Sequence, residues 1–208
     1  ANYAQAALRR VRSNEWSREE LTECLEKASQ QALLAGEIIK RLRRLVSKRP
    51  PEQTETDLND TIRDVLEMVR AEAEGREVHV RLELPEELPR VRADRIQLQQ
   101  VMLNLVRNGF EAMQHTPTEE RRLSVESRVI DHECVAVSVT DHGEGCEAQH
   151  LDRLFEPFFT TKEQGLGMGL PISRSIIESH GGRLTAQSNL TRGLTLEFTL
   201  PIRPGVAG

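Results

Sequence analysis

Two asparagines, Asn104 and Asn108, stand four residues apart in NLVRNGFEAM (Asn104 to Met113), in a run whose apolar spacing is helical. Both amides therefore leave the same face. An amide oxygen is a hard, uncharged ligand that suits magnesium, which keeps several waters and takes further oxygens from substrate phosphates. Asp141 closes a strand-like run and opens DHGEG (Asp141 to Gly145). Its carboxylate can accept a hydrogen bond from an exocyclic amine, while Gly143 and Gly145, lacking a Cβ, let a flat base approach the backbone. The glycines of GLGMGL, Gly165, Gly167 and Gly169, lead into a helix at Leu170. The free amides and dipole of that helix favour phosphate oxygens. No Lys-Ser or Lys-Thr follows the last glycine, so this is no Walker sequence. Lys162, at the end of LFEPFFTTK (Leu154 to Lys162), can add a point charge at a terminal phosphate. Taken singly these are a solvated helix face, an ordinary loop and a surface lysine. In this order they describe a pocket for a nucleotide triphosphate and its metal. A metal site built from His142, Glu144 and Cys146 is the weaker alternative.

The elements that must hold these residues are readable from period and caps. Residues 57–74 read as a helix and Glu77 to Leu84 as an alternating strand. Asp94, with Gln97 three residues on, caps a helix running to about Met113. Strands are expected over Leu123 to Ile130 and Cys134 to Asp141, then a short helix near Ala148 to Leu154 and another from about Leu170 to Ser179. Two last strands fall around Arg183 to Ser188 and Leu194 to Pro201. Adjacent strands look like hairpins, which predicts an α+β two-layer sandwich rather than a doubly wound parallel sheet.

Ahead of it, residues 1–46 read as a helical hairpin, interrupted at SNEW (Ser13 to Trp16) and restarted by a capping box of Ser17 and Glu20. Leu21, Leu25, Ala28, Ala32, Ala35, Ile39, Leu42 and Val46 form its apolar stripe. So thin a hairpin needs a partner, and a homodimeric four-helix bundle is the expected solution. Pro50 and Pro51 cannot continue a helix. The resulting division is a hairpin over 1–49, a linker over 50–56, the sandwich over 57–203 and a tail over 204–208.

Residues 1–49 hold 11 Lys+Arg and 6 Asp+Glu (+5), the remainder 17 and 27 (-10), which sum to the net charge of -5. The basic strip KRLRR (Lys40 to Arg44) carries its leucines at helix-core spacing, so nucleic acid is not the expected partner. No run of 18 apolar residues exists, and the 3 cysteines share no metal-ligand spacing. The expectation is a cytoplasmic segment without membrane contact. Opening at Ala1 with no initiator Met suggests a piece of a longer protein whose membrane or sensing portion lies upstream.

The four motifs resemble the N box, first glycine box, F box and second glycine box of the GHKL ATP-binding fold, shared by sensor histidine kinases, gyrase and MutL. The resemblance covers residues 94–201, and GLTLEFTLP (Gly193 to Pro201) is similar to the closing strand of the kinase version. ALLAGEIIKRLRRLV (Ala32 to Val46) resembles the second helix of the kinase dimerisation and phosphotransfer hairpin, and ANYAQAALRR (Ala1 to Arg10) the helix just after the phosphoacceptor motif. The similarity is greatest to oxygen- and nitrogen-regulation sensor kinases, which have the same short lid.

The resemblance implies that Asn108 coordinates magnesium and Asn104 assists at the phosphates. It implies that Asp141 reads the adenine amine, that Gly143 and Gly145 shape the base pocket, and that Thr195 reaches the base through water. Lys162, Gly165, Gly167, Gly169 and Leu170 would form the lid and phosphate cradle, with Phe155, Phe158 and Phe159 packing the lid base. The function implied is transfer of the ATP terminal phosphate to a histidine and on to an aspartate of a response regulator. Two departures stand out. Gly109 replaces the family's usual alanine, at a propensity cost of about 1 kcal/mol. The acceptor histidine is missing, and is expected about three helical turns upstream of Tyr3. The alternatives are a GHKL hydrolase, for which Asn104 stands where a catalytic Glu belongs, and a nucleotide-binding dimerisation module without catalysis.

Overall fold

Side-chain caps mark the starts of three helices of this chain, because a first turn leaves amides without intrahelical partners. The computed structural model describes residues 5, 7, 8, 11, 12, 17–29, 52–131, 133–160 and 167–202. They belong to two units, Ala1–Arg49 and Pro50–Gly208. In the first, residues 18–29 are helical and the Glu20 N–H donates to Ser17 Oγ at 3.1 Å. Leu21, Cys24 and Ala28 are half-buried there, whereas Leu25, placed in the expected stripe, is 54% exposed. The SNEW interruption and the stripe from Ala32 to Val46 lie outside the described residues.

In the second unit Asp57 caps α1 (Leu58–Gly75) by accepting from the Asp60 N–H. Asp94 caps α2 (Arg95–Ala112) by accepting from the Ile96 and Gln97 amides at 3.0 and 3.2 Å. Such caps contribute about 1 kcal/mol each. Helix α3 (Gly169–Ser179) has no side-chain cap.

Strands β1 (Thr54–Thr56) and β3 (Val91–Ala93) pair antiparallel. The other five, β2 (His79–Glu83), β4 (Arg122–Asp131), β5 (Cys134–Asp141), β6 (Arg183–Ser188) and β7 (Leu194–Pro201), form one sheet in the order β2-β4-β5-β7-β6. Consecutive strands β4–β5 and β6–β7 are hairpins, as their spacing predicts, and β5 and β7 lie side by side at the centre. One face carries Leu123, Val125, Val137, Val139, Leu196 and Phe198 into a single core with Ile62, Val65, Leu98, Met102, Leu105 and Phe110 of α1 and α2 and Ile177 of α3. Alternate positions on the other face, including Ser124, Glu126, Arg128 and Glu197, are partly exposed. The two-layer α+β sandwich is thus the observed architecture.

Three expectations change. The stretch 50–56 is not all linker, since Thr54–Thr56 pairs with Val91–Ala93 and the Thr56 hydroxyl donates to the Ala93 carbonyl at 3.0 Å. Strand β2 pairs parallel to β4, with α2 in the crossover, so it has no hairpin partner. The short helix near 148–154 is two separate 3₁₀ turns, Ala148–His150 and Asp152–Phe155.

Candidate functional site

Helix α2 is the wall on which three of the four motifs converge. Asn104 and Asn108 project from it half-buried. The Asn104 amide nitrogen donates to Ser173 Oγ of α3 at 3.0 Å. Its amide also packs against Gly169, where an added Cβ would overlap Asn104 Oδ1. Asn104 is therefore a bridge between the two helices. The Asn108 side chain makes no hydrogen bond with any described residue, which leaves its amide oxygen for a ligand.

At the C-terminal end of α2 the DHGEG loop is seated on the helix. The Glu144 N–H donates to the Ala112 carbonyl at 3.3 Å, and a Cβ on Gly143 would stand 2.5 Å from the same oxygen. Glycine at 143 is thus what lets the loop lie this close. Asp141, 5% exposed, ends β5 with Oδ1 accepting from the Gly143 amide at 2.8 Å and the Leu194 amide at 3.4 Å. Two backbone donors fix the orientation of the carboxylate. Gly193, at φ 87°, has its Cα against the Asp141 carbonyl, where any side chain would collide. Gly145, at φ 76°, faces Gly193 across the loop.

Thr195 lies opposite Thr140 in the β5–β7 register, their hydroxyls 2.9 Å apart, and donates to Asn189 Oδ1 at 2.7 Å. Asn189 in turn donates to the carbonyls of Asp141 and Arg192 at 3.2 and 3.1 Å. The Thr195 hydroxyl is tied into the strand behind Asp141. Nearby, burial first and then the Glu147 carboxylate push the Cys146 thiol above its ordinary pKa.

The second glycine segment docks on the F box. The Phe158 N–H donates to the Gly167 carbonyl at 3.1 Å, and Gly167, at φ 61°, lies against the Phe158 and Phe159 backbones. Leu170 packs at the edge of the core, and the first turn of α3 offers the amides of Gly169 and Leu170, since Pro171 has none. Lys162 and Gly165 lie outside the described residues. Phe155 packs on the core with Arg174 over its ring, and Arg153 lies 4.3 Å from the Phe159 ring centroid. Phe158 does not pack: it is 68% exposed and held at φ 69°, a conformation that costs a bulky residue about 1–2 kcal/mol.

Gly109 does not loosen α2 as its propensity suggests. An added Cβ there would overlap Leu123 Cδ1 and stand 3.4 Å from Asp141 Cβ, so the helix presses on β4 and β5 at this residue. Sequence reasoning also passed over Ser173 and Arg192. The Arg192 guanidinium donates to Gly143 O at 3.0 Å, Glu120 Oε2 at 2.8 Å and Thr116 Oγ1 at 3.2 Å. No local pattern could have shown this, because its partners lie 49 to 76 residues away.

Among the described residues, no group of three or more His, Cys, Asp or Glu side chains is placed to hold a metal, and no helix is long and apolar enough to cross a membrane. Along α2 the arrangement sets the fixed Asp141 carboxylate beside the C-terminal end, the start of α3 beside Asn104 and the Asn108 amide between them.

The family model described as histidine kinase-, DNA gyrase B- and HSP90-like ATPase matches residues 93–204. The chain is 43% identical over 169 residues to the sensor protein TdiS of Thauera aromatica, covering 81% of this chain and 31% of TdiS. It is 42% identical over 177 residues to the sensor protein FixL of Bradyrhizobium diazoefficiens, covering 85% of this chain and 35% of FixL. The chain therefore spans about a third of the length of these relatives. Among solved structures, histidine kinase ThkA in complex with the response regulator protein TrrA is similar with a TM-score of 0.70 at 28% identity, covering 90% of this chain and 52% of that one.

Proposed function

The chain belongs to the family of histidine kinase-, DNA gyrase B- and HSP90-like ATPases, and from that membership we propose that it is the ATP-binding catalytic core of a two-component sensor histidine kinase. The observation that carries the reading is the meeting of both glycine segments on the helix that bears Asn104 and Asn108.

In this reading Asp141 accepts a hydrogen bond from the adenine amine, and its fixed orientation is what selects the base. Gly143 and Gly145 leave room for the ring, and Thr195 and Asn189 hold the strand behind it. The first-turn amides of Gly169 and Leu170 take phosphate oxygens, with Gly165 and Gly167 closing the cradle and Lys162 placing its ammonium at the terminal phosphate. Asn108 fits a magnesium ion, being a hard oxygen donor whose amide no described residue engages, and Asn104 stands one turn away to help orient the phosphates. Magnesium, when bound, neutralises charge across the phosphates. The protein's part is positioning and charge stabilisation, while the terminal phosphate passes to a histidine imidazole and ADP is left behind.

The histidine is proposed to lie on a helix preceding Ala1. All six histidines of the chain, His79, His115, His132, His142, His150 and His180, come after residue 50 in the sequence, and a hairpin over 1–49 would carry the dimer and receive a response regulator. That partner is supported by the ThkA complex. The site of action proposed is the cytoplasm. Hydrolysis of ATP by an activated water is disfavoured, because the Asn104 amide is no base and is engaged by Ser173.

Calorimetry with ATP, with and without magnesium, on the chain and on Asn108→Ala tests the reading. Magnesium-dependent binding that the substitution abolishes is expected. An intact chain that binds no ATP overturns it.

A further inference from the structure

The β6–β7 turn contributes a residue that touches neither side of the proposed phosphate cradle but holds the loop beneath the base. Resting on the nucleotide reading above, we propose that Arg192 is a positioning residue that sets affinity for the adenine end of the ligand. Its guanidinium spends three donor directions on three separate stretches of chain. Nε reaches the Gly143 carbonyl at 3.0 Å in the DHGEG loop, one terminal nitrogen the Glu120 carboxylate at 2.8 Å, and the other the hydroxyl of buried Thr116 at 3.2 Å.

The Gly143 peptide is thereby held on both flanks. Its N–H is bound by Asp141 Oδ1 at 2.8 Å and its carbonyl by Arg192, while its Cα rests on the Ala112 carbonyl. The main chain of Arg192 is tied to the same place, since the Asn189 amide bridges the Arg192 and Asp141 carbonyls. A carboxylate aimed at an exocyclic amine reads a base only if the surface under the ring keeps a fixed height relative to it. Asp141 and Gly143 share one hydrogen bond, so the clasp on Gly143 sets that height. Lysine cannot replace it, because one ammonium on a flexible stem does not present a planar fork to three fixed acceptors. Glu120 supplies charge: its carboxylate holds one terminal nitrogen of the guanidinium while Nε faces the loop carbonyl.

The test measures ATP affinity by calorimetry and backbone amide exchange by mass spectrometry, on the whole chain, for wild type, Arg192→Ala and Arg192→Lys. Both substitutions are expected to weaken ATP by about tenfold, the size of one lost charge-assisted hydrogen bond. Exchange should quicken in residues 141–147 and stay unchanged at the start of α3. A purely structural role would instead speed exchange across the whole unit. That result, or ATP affinity within twofold of wild type, or full function in Arg192→Lys, overturns the proposal. Should Arg192→Ala fail to fold, Glu120→Gln carries the test, with about threefold weaker ATP expected and unchanged affinity counting against the clasp. A wild-type chain that binds no ATP refutes the nucleotide reading itself, whereas normal binding with indifferent variants refutes only the role of Arg192.

Discussion

Alanine at position 109 should destabilise this protein even though helix propensity says the opposite. Replacing a mid-helix glycine by alanine gains about 1 kcal/mol when nothing is in the way. Here the new methyl would overlap Leu123 Cδ1 and stand 3.4 Å from Asp141 Cβ. Leu123 is fully buried, as are its core neighbours Phe110 and Val125, so it has no vacant rotamer to retreat into. Forcing a methyl into a filled core costs about 1–3 kcal/mol. The balance is a net loss of about 1 kcal/mol, near 2–4 °C in Tm for a unit of this size. Leu123→Ala alone should cost about 2–5 kcal/mol through the cavity it leaves. In the double variant the methyl at 109 occupies part of that cavity and the helix recovers its propensity, so the two changes should couple favourably by at least about 1 kcal/mol. Urea unfolding followed by circular dichroism on the four members of the cycle measures this. Gly109→Ala more stable than wild type, or additivity to within about 0.5 kcal/mol, would refute the packing argument.

Two further outcomes follow from single contacts. His180, 5% exposed, accepts the Asp94 N–H on Nε2 at 3.0 Å while Nδ1 lies 2.8 Å from the Ile176 carbonyl, so the neutral ring with hydrogen on Nδ1 satisfies both. His180→Ala should cost about 1–3 kcal/mol by orphaning a donor at the start of α2, and chemical denaturation that finds no loss would count against the bond. The Cys146 pKa is raised by burial and by Glu147, so less thiolate is present at a given pH. Iodoacetamide should alkylate Cys146 more slowly in the native chain than in urea at pH 8, with the gap narrowing as pH rises; equal rates at pH 8 would contradict the shift.

Much of the fold was legible because its signals are local. Asp94 and Gln97 are three residues apart, and the cap they predict is the one observed. The alternation in Cys134–Asp141 and Leu194–Pro201 gave strands at those residues, and the two-layer α+β class followed. What failed was short or remote. Thr54–Thr56 and Val91–Ala93 are too brief to show a period, and their pairing exists only across 37 residues. The parallel partner of His79–Glu83 is chosen by the crossover through α2, which alternation does not encode. At the site, types and spacing named Asn104, Asn108 and Asp141. The commitment of Asn104 to Ser173, and of Gly143 to Arg192, depended on side chains meeting from different elements. Phe158 shows a third limit, since an F box reads as packing residues and nothing in its letters marks the one held outward at φ 69°.

The hydrogen bond from the Phe158 N–H to the Gly167 carbonyl has an evolutionary corollary. It staples the two ends of an eight-residue stretch, 159–166, at a point anchored on α3. Closing a loop on fixed ends costs entropy that grows only with the logarithm of its length, about 0.6 kcal/mol for each doubling. Insertions between the staples therefore leave the core almost untouched. The close-packed glycines that follow have no such tolerance, since a single methyl at Gly167 would overlap the Phe158 and Phe159 backbones and one at Gly169 the Asn104 amide.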